Sequence, residues 1–226
     1  MTEADWLAYQ DPRPMVDWLT EWRPNRNGGG TGTNYLPSNR KLRLFAVACC
    51  RLIWESLPEP LCREAVETAE RFADGEVGLK ELDSAWIRII AAERAKRSRK
   101  SGRRPDWKLA ALATTNHLAA VAARETSLLT GRCAAHTGKH NRKQCELMRD
   151  IFRPFLRQTI HVTWRTVNVV SLSQAIYQQG CFENIPILGD ALEDAGCDNA
   201  DILEHCRKPR EHVRGCWVAD LVLGKE

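Results

Sequence analysis

Apolar residues recur every three to four positions along most of this chain, the spacing that lines one face of an α-helix. Two short helices are predicted near the start, Glu3 to Tyr9 and Pro14 to Trp22, with Asp11 as a cap and a proline just inside the second. Asn25 to Asn39 contains GGGTGTN and reads as a flexible loop. It lacks the GxxxxGK[ST] pattern and follows no apolar strand, so a phosphate-cradling role is disfavoured. Ser38 opens RKLRLFAVACCRLIWESL, apolar on almost every side from Leu42 to Trp54 and therefore the expected buried centre of the fold. Glu59 to Ala73 and Leu79 to about Lys96 repeat the helical period through Leu61, Ala65, Val66, Ala69 and Phe72, then Leu82, Trp86, Ile89 and Ile90. After KSGRRPD comes one long alanine-rich helix, Trp107 to Leu129. A break follows at Gly131 to His140, then a helix from Arg142 to Phe152 ended by Pro154. Thr159 to Val170 is rich in β-branched residues and reads as an extended crossing segment. Four short helices complete the chain: Leu172 to Gln179, Pro186 to Ala195, Asn199 to Cys206, and Cys216 to Leu223 stopped by Gly224. The expected fold is all-α, a single irregular domain over 1–226 with a buried central helix and a C-terminal helical cap.

Composition sharpens this picture. With 226 residues and 43% hydrophobic side chains the chain can bury a substantial core. Its eight tryptophans are dispersed along the sequence, which suits core filling better than a ligand cage. Nine cysteines come without a secretory leader, and no apolar run reaches the roughly 20 residues needed to span a bilayer. A cytoplasmic, reduced protein without a membrane partner is expected, whose thiols are free, metal-bound or reactive rather than paired in disulfides.

The net charge of +4 conceals an asymmetry. Between Arg88 and Lys108 nine basic residues face two acidic ones, a net of +7, whereas Ser171 onward holds five basic and ten acidic residues, a net of −5. Basic side chains at that density neutralise phosphates and release counterions, and a nearby tryptophan can stack on an unpaired base. The expected nucleic-acid contacts are Arg94, Lys96, Arg97, Arg99, Lys100, Arg103, Arg104, Trp107 and Lys108, on RNA or DNA. The alternative is a solvated helix end and linker over 95–106, or a surface that meets a protein partner.

Two groupings carry metal-ligand chemistry. Cys133, His136, His140 and Cys145 form C-x2-H-x3-H-x4-C in a break between helices, a spacing that can wrap the nitrogen and sulfur tetrahedron zinc prefers. Zinc is therefore the expected cofactor, if one is bound, with incidental His and Cys in a solvated loop as the competing reading. Cys197, His205, Cys206, His212 and Cys216 crowd the tail more loosely. Adjacent helical residues point about 100° apart, so His205 and Cys206 cannot readily share an ion, and a packed thiol core is the default. Cys216, placed by Gly215 at a helix start that lowers a thiol pKa, has His212 one turn upstream as a base, half of a thiol enzyme. No HExxH, GxSxG or EF-hand loop occurs.

The strings MTEADWLA, KLRLFAVACCRLIW, PILGDALEDAGCDNADILEHC and HVRGCWVADLVLGKE resemble an uncharacterised bacterial paralogous family whose members match at both ends and vary in the middle. The resemblance covers roughly half of the chain and implies no activity. It places any specialised role in the variable stretch from Ala95 to Cys145. The function expected is thus a non-enzymatic interaction protein that binds nucleic acid through its basic middle within a larger assembly. A protein-binding adaptor or immunity-type module is the alternative, and a zinc- or thiol-dependent enzyme the third.

Overall fold

The computed structural model describes residues 1–21, 35–96, 105–133, 137–155 and 159–225, and every regular element among them is a helix. The fold is all-α. It divides into two compact units, Met1–Cys145 and Glu146–Glu226.

The first unit begins with α1 (Glu3–Ala8), closed by a capping box in which the Asp5 amide donates to Thr2 Oγ1 and the Thr2 amide to Asp5 Oδ2. In α2 (Pro12–Thr20) the Asp11 carboxylate caps the Arg13 amide at 3.1 Å, so the helix starts two residues ahead of the predicted Pro14. Most of the predicted glycine-rich loop lies outside the described residues. Ser38 then caps α3 (Asn39–Arg51), whose residues from Lys41 to Cys50 are all buried, the charged Lys41 and Arg43 together with the expected apolar run. This helix packs against α4 (Pro60–Ala73), α6 (Asp106–Thr114) and α7 (Ala119–Cys133), while α5 (Leu79–Lys96) lies on α4 and α2 on α7. The core between them is built from Val47, Cys50, Leu57, Cys62, Val66, Leu82, Ile89 and the small residues Ala110 and Ala111, which let α6 approach closely.

The predicted helix from Trp107 to Leu129 is two helices, with a break at Thr115 to Leu118. Local polar groups and a cation distant in sequence hold it together. Thr114 and Thr115 turn their hydroxyls back onto the carbonyls of Ala111 and Leu112, both at 2.7 Å, and Asn116 Oδ1 accepts the Leu118 amide at 2.9 Å to start the next helix. Arg43, buried in α3, donates to the carbonyls of Thr114 at 2.6 Å and His117 at 3.2 Å, with its guanidinium 5.0 Å above the Phe72 ring. Burial lowers its pKa to about 10. The break expected at Gly131 to His140 is shorter than the sequence suggested, since α8 (Thr137–Ile151) already includes His140. Gln144, one turn on, donates to His140 Nε2 at 2.8 Å and to Ser127 and Thr130 of α7, and this buried network holds the extra turn.

In the second unit the segment predicted as extended is a 3-10 turn at Val162–Trp164 followed by α9 (Val167–Gln179), capped by Thr166. β-Branched residues favour strands only where a pleated ladder buries them, and no strand exists among the described residues to pair with this one. Val169, Ser173, Ile176 and Tyr177 instead form the inner stripe of a helix, while Val162 and Val167 remain exposed. Then follow α10 (Ile185–Asp194), α11 (Ala200–Arg207) and α12 (Trp217–Leu223). Their core joins Ile185, Leu188, Leu192, Ile202, Cys206, Val218 and Val222. Arg165 donates to the Val222 carbonyl at 2.9 Å, and Arg214 to the Tyr177 carbonyl at 3.0 Å, which ties α9 to the tail. This unit begins at Glu146 and contains the acidic stretch from Ser171 onward, and within it Asp150 of α8 bonds to the His212–Val213 loop.

Gly189 marks a close crossing of α10 and α11: a Cβ there would lie 2.7 Å from Cys206 Cβ. Gly189→Ala should therefore destabilise the protein by about 1 to 3 kcal/mol through overpacking, read by urea unfolding. An unchanged midpoint would mean that α10 and α11 separate freely.

Candidate metal centre in the C-terminal unit

Four chemically equipped side chains converge inside the second unit. Asp150 comes from α8, His205 from α11, His212 from the loop before α12, and Cys216 is the residue that caps α12. Gly215, at φ 96, makes the left-handed turn that delivers Cys216 to this position. One donor atom from each residue lies within 4.8 Å of the other three. None of the four is more than 7% exposed.

Asp150 is the hub. Its Oδ1 accepts from His212 Nδ1 at 2.6 Å and lies 3.2 Å from His205 Nε2, while Oδ2 accepts the Val213 amide at 2.9 Å. Cys216 Sγ sits 3.3 Å from His205 Nε2 and 3.8 Å from His212 Nδ1. On its far side His205 Nδ1 accepts the indole N–H of Trp217 at 2.8 Å, and Arg153 stands over the other ring of that contact, 5.7 Å from the Trp217 centroid. A neutral imidazole carries one proton, so this contact puts the His205 proton on Nε2, aimed at Asp150 and Cys216. His212 Nε2 is buried and makes no hydrogen bond.

Electrostatics follow from this geometry. Burial alone would raise the Asp150 carboxyl, but the hydrogen bonds from His205 and His212 outweigh it and hold the group well below the usual carboxylate range. Burial pushes the His205 imidazole down, only partly offset by Asp150. The pair is thus a carboxylate receiving a bond from a neutral imidazole. Burial drives the Cys216 thiol well above its ordinary value, and Asp150 adds to this, whereas the Ala219 and Val218 amides at the helix start lower it too little to compensate. Desolvation therefore outweighs the helix start at this thiol.

The tail grouping read from sequence is divided by the fold. His205, His212 and Cys216 enter the cluster, while Cys197 and Cys206 lie in the apolar core, the latter thiol pushed up to about 12 by burial. Asp150 was missed, though it sits in LMRDIF among Leu147, Met148 and Ile151, all buried. An acid on the apolar stripe of a helix is the signal that could have found it. Of the loop grouping, Cys133 ends α7, His140 and Cys145 are buried on α8, His140 holding Gln144, and His136 lies outside the described residues.

Of the basic residues, Arg94 is exposed on α5 and Lys96 lies on the same helix, whereas Arg97, Arg99, Lys100, Arg103 and Arg104 lie outside the described residues. Trp107 is half-buried against the core of the first unit. Lys108 departs from the expected surface role. It is 6% exposed and its ammonium lies 2.8 Å from Glu59 Oε2, because α6 packs on α4 and a buried cation needs an anion beside it.

None of the nine cysteines is disulfide-bonded. Among the described residues no helix is long and apolar enough to cross a membrane. No family model, curated protein or solved structure matches the chain. The class of site is therefore given by its chemistry: a buried carboxylate, imidazole and thiol cluster that can hold a metal ion.

Replacing Asp150 with Ala strips the acceptor from His212 Nδ1, His205 Nε2 and the Val213 amide together. The loss should be about 3 to 5 kcal/mol of stability, as when one partner of a buried ionic group is removed. Trp217→Ala should cost a similar 3 to 5 kcal/mol, roughly the penalty for truncating a core aromatic. Chemical denaturation of both variants measures this. Losses within about 1 kcal/mol, the size of one ordinary hydrogen bond, would remove the cluster from the folding account.

Proposed function

We propose that this chain is a non-enzymatic interaction protein that binds nucleic acid, RNA or DNA, through the basic segment between Arg88 and Lys108, within a larger assembly. The observation that carries the reading is the density of charge there, nine basic residues against two acidic ones. Lys108 takes no part, being committed to Glu59, and Arg88 is paired with Glu64 on the surface. The contacts proposed are Arg94 through Arg104, with Trp107 beside them.

Closure of the C-terminal cluster supports the non-enzymatic half. A substrate needs a path to the reacting atoms, and Asp150 and Cys216 are both 0% exposed. A cleft of about 450 Å³ lies between α2 and α7, with Arg13, Asp17 and Glu125 among its lining residues. It is also lined by Val16, Val121 and Leu128, its Arg124 is paired with Asp17 at 2.9 Å, and its Ser127 hydroxyl is spent on Gln144.

A protein partner is the second reading, favoured by α5, where Leu79, Trp86 and Ile87 are exposed beside the buried Leu82, Ala85 and Ile89. Large apolar side chains grouped on a surface mark protein contacts. An adaptor would use that face.

Titration with labelled single-stranded and duplex oligonucleotides separates the two. If six phosphate contacts form, the affinity should fall about 10³-fold between 50 and 200 mM salt. Changing Arg97, Arg99, Lys100, Arg103 and Arg104 together to Gln should abolish most of the binding. Salt-independent binding, or binding that survives this change, would overturn the nucleic-acid reading and leave the adaptor.

A further inference from the structure

We propose that Asp150, His205, His212 and Cys216 form a zinc site, and that Trp217 restrains its loading by holding His205 in the tautomer that cannot coordinate through Nε2. This inference does not depend on the nucleic-acid reading.

The donor set points to zinc. One carboxylate oxygen, two imidazole nitrogens and one thiol sulfur suit a borderline ion in four-coordination, whereas magnesium and calcium want oxygen throughout. Zinc bonds of about 2.0 to 2.3 Å to O, N and S place the corners of a tetrahedron roughly 3.3 to 3.7 Å apart. The separations between His205 Nε2 and Asp150 Oδ1, 3.2 Å, between His205 Nε2 and Cys216 Sγ, 3.3 Å, and between His212 Nδ1 and Cys216 Sγ, 3.8 Å, fall near these edges. Asp150 and His212 stand closer, at 2.6 Å, because a proton lies between them, and this edge lengthens when an ion takes the proton's place. Charge agrees with geometry. A carboxylate and a thiolate together cancel a divalent cation, so the loaded site is neutral in surroundings that exclude water. The Val213 amide holds Asp150 Oδ2 and leaves Oδ1 for the metal, the kind of outer contact that orients a ligand.

Loading exchanges one proton for the ion: the Cys216 thiol proton passes to solvent, the His212 proton shifts from Nδ1 to Nε2 so that the neutral ring offers Nδ1, and His205 must likewise free a lone pair on Nε2. A neutral imidazole that presents Nε2 to a metal carries its hydrogen on Nδ1. At that nitrogen the Trp217 indole already donates from 2.8 Å. Two donors cannot face each other, so the indole N–H must turn away before His205 coordinates. Removing that N–H while keeping a ring in the pocket relieves the conflict.

The test uses the full-length protein, zinc chloride and a competing chelator, with metal content read by elemental analysis. The parent should take up one zinc per chain. Cys133→Ser with Cys145→Ser should keep it, His212→Gln should lose it, and Trp217→Phe should bind about three- to tenfold more tightly, the worth of one hydrogen bond no longer broken. Zinc that departs with Cys133 and Cys145, or a parent that takes up none, would overturn the site. Unchanged or weaker binding by Trp217→Phe would overturn the restraint. Should His212→Gln fail to fold by circular dichroism, the parent's stoichiometry and the Trp217→Phe affinity still decide, since neither removes a donor.

Discussion

The carboxylate of Asp150 is the constraint on which the C-terminal unit depends. A charge taken wholly out of water is costly unless every lone pair finds a partner. Asp150 is 0% exposed and gathers three donors, from His205, His212 and the Val213 backbone. Those donors come from α11 and from the loop before α12, so satisfying one side chain fixes where the end of α8, α11 and the tail must meet. Apolar packing of Ile202, Cys206, Val218 and Val222 supplies bulk stabilisation, but packing alone tolerates sliding. Directional bonds to a buried charge do not.

The first unit uses the same device with the opposite charge. Arg43 on the central helix is 2% exposed and spends its guanidinium on the carbonyls of Thr114 and His117, groups that the end of α6 leaves without helical partners. A buried cation thus ends one helix and orients the next. In each unit an ionisable residue inside the core, Arg43 or Asp150, sets helix geometry through backbone and ring contacts, and each stands among apolar neighbours along the chain.

That placement explains what was and was not legible in the sequence. The helical period of Leu42 to Trp54 reads directly as a buried centre, because a helix apolar all round has nowhere else to go. Caps at Asp11, Ser38 and Asn199 are equally local, since each side chain bonds an amide two or three residues on. The break at Thr115 to Leu118 was hidden within an alanine-rich run, because its stabilising partner, Arg43, lies more than seventy residues upstream. Thr159 to Val170 misled for a related reason: strand propensity needs a second strand, and the local letters do not say whether one exists. In the tail, crowding of His205, His212 and Cys216 was visible, but spacing along the chain could not reveal that Asp150, sixty-two residues before His212, completes the group while Cys197 and Cys206 turn into the core.

The C-terminal unit turns on how protons are distributed around Asp150, and nitrogen NMR of the histidine rings in chelator-treated protein measures this directly. His205 should be protonated at Nε2 with Nδ1 accepting from the Trp217 indole, and His212 should carry a proton on Nδ1 toward Asp150. A His205 ring protonated at Nδ1, or two histidines exchanging freely between tautomers, would contradict the claim that a buried carboxylate organises this unit.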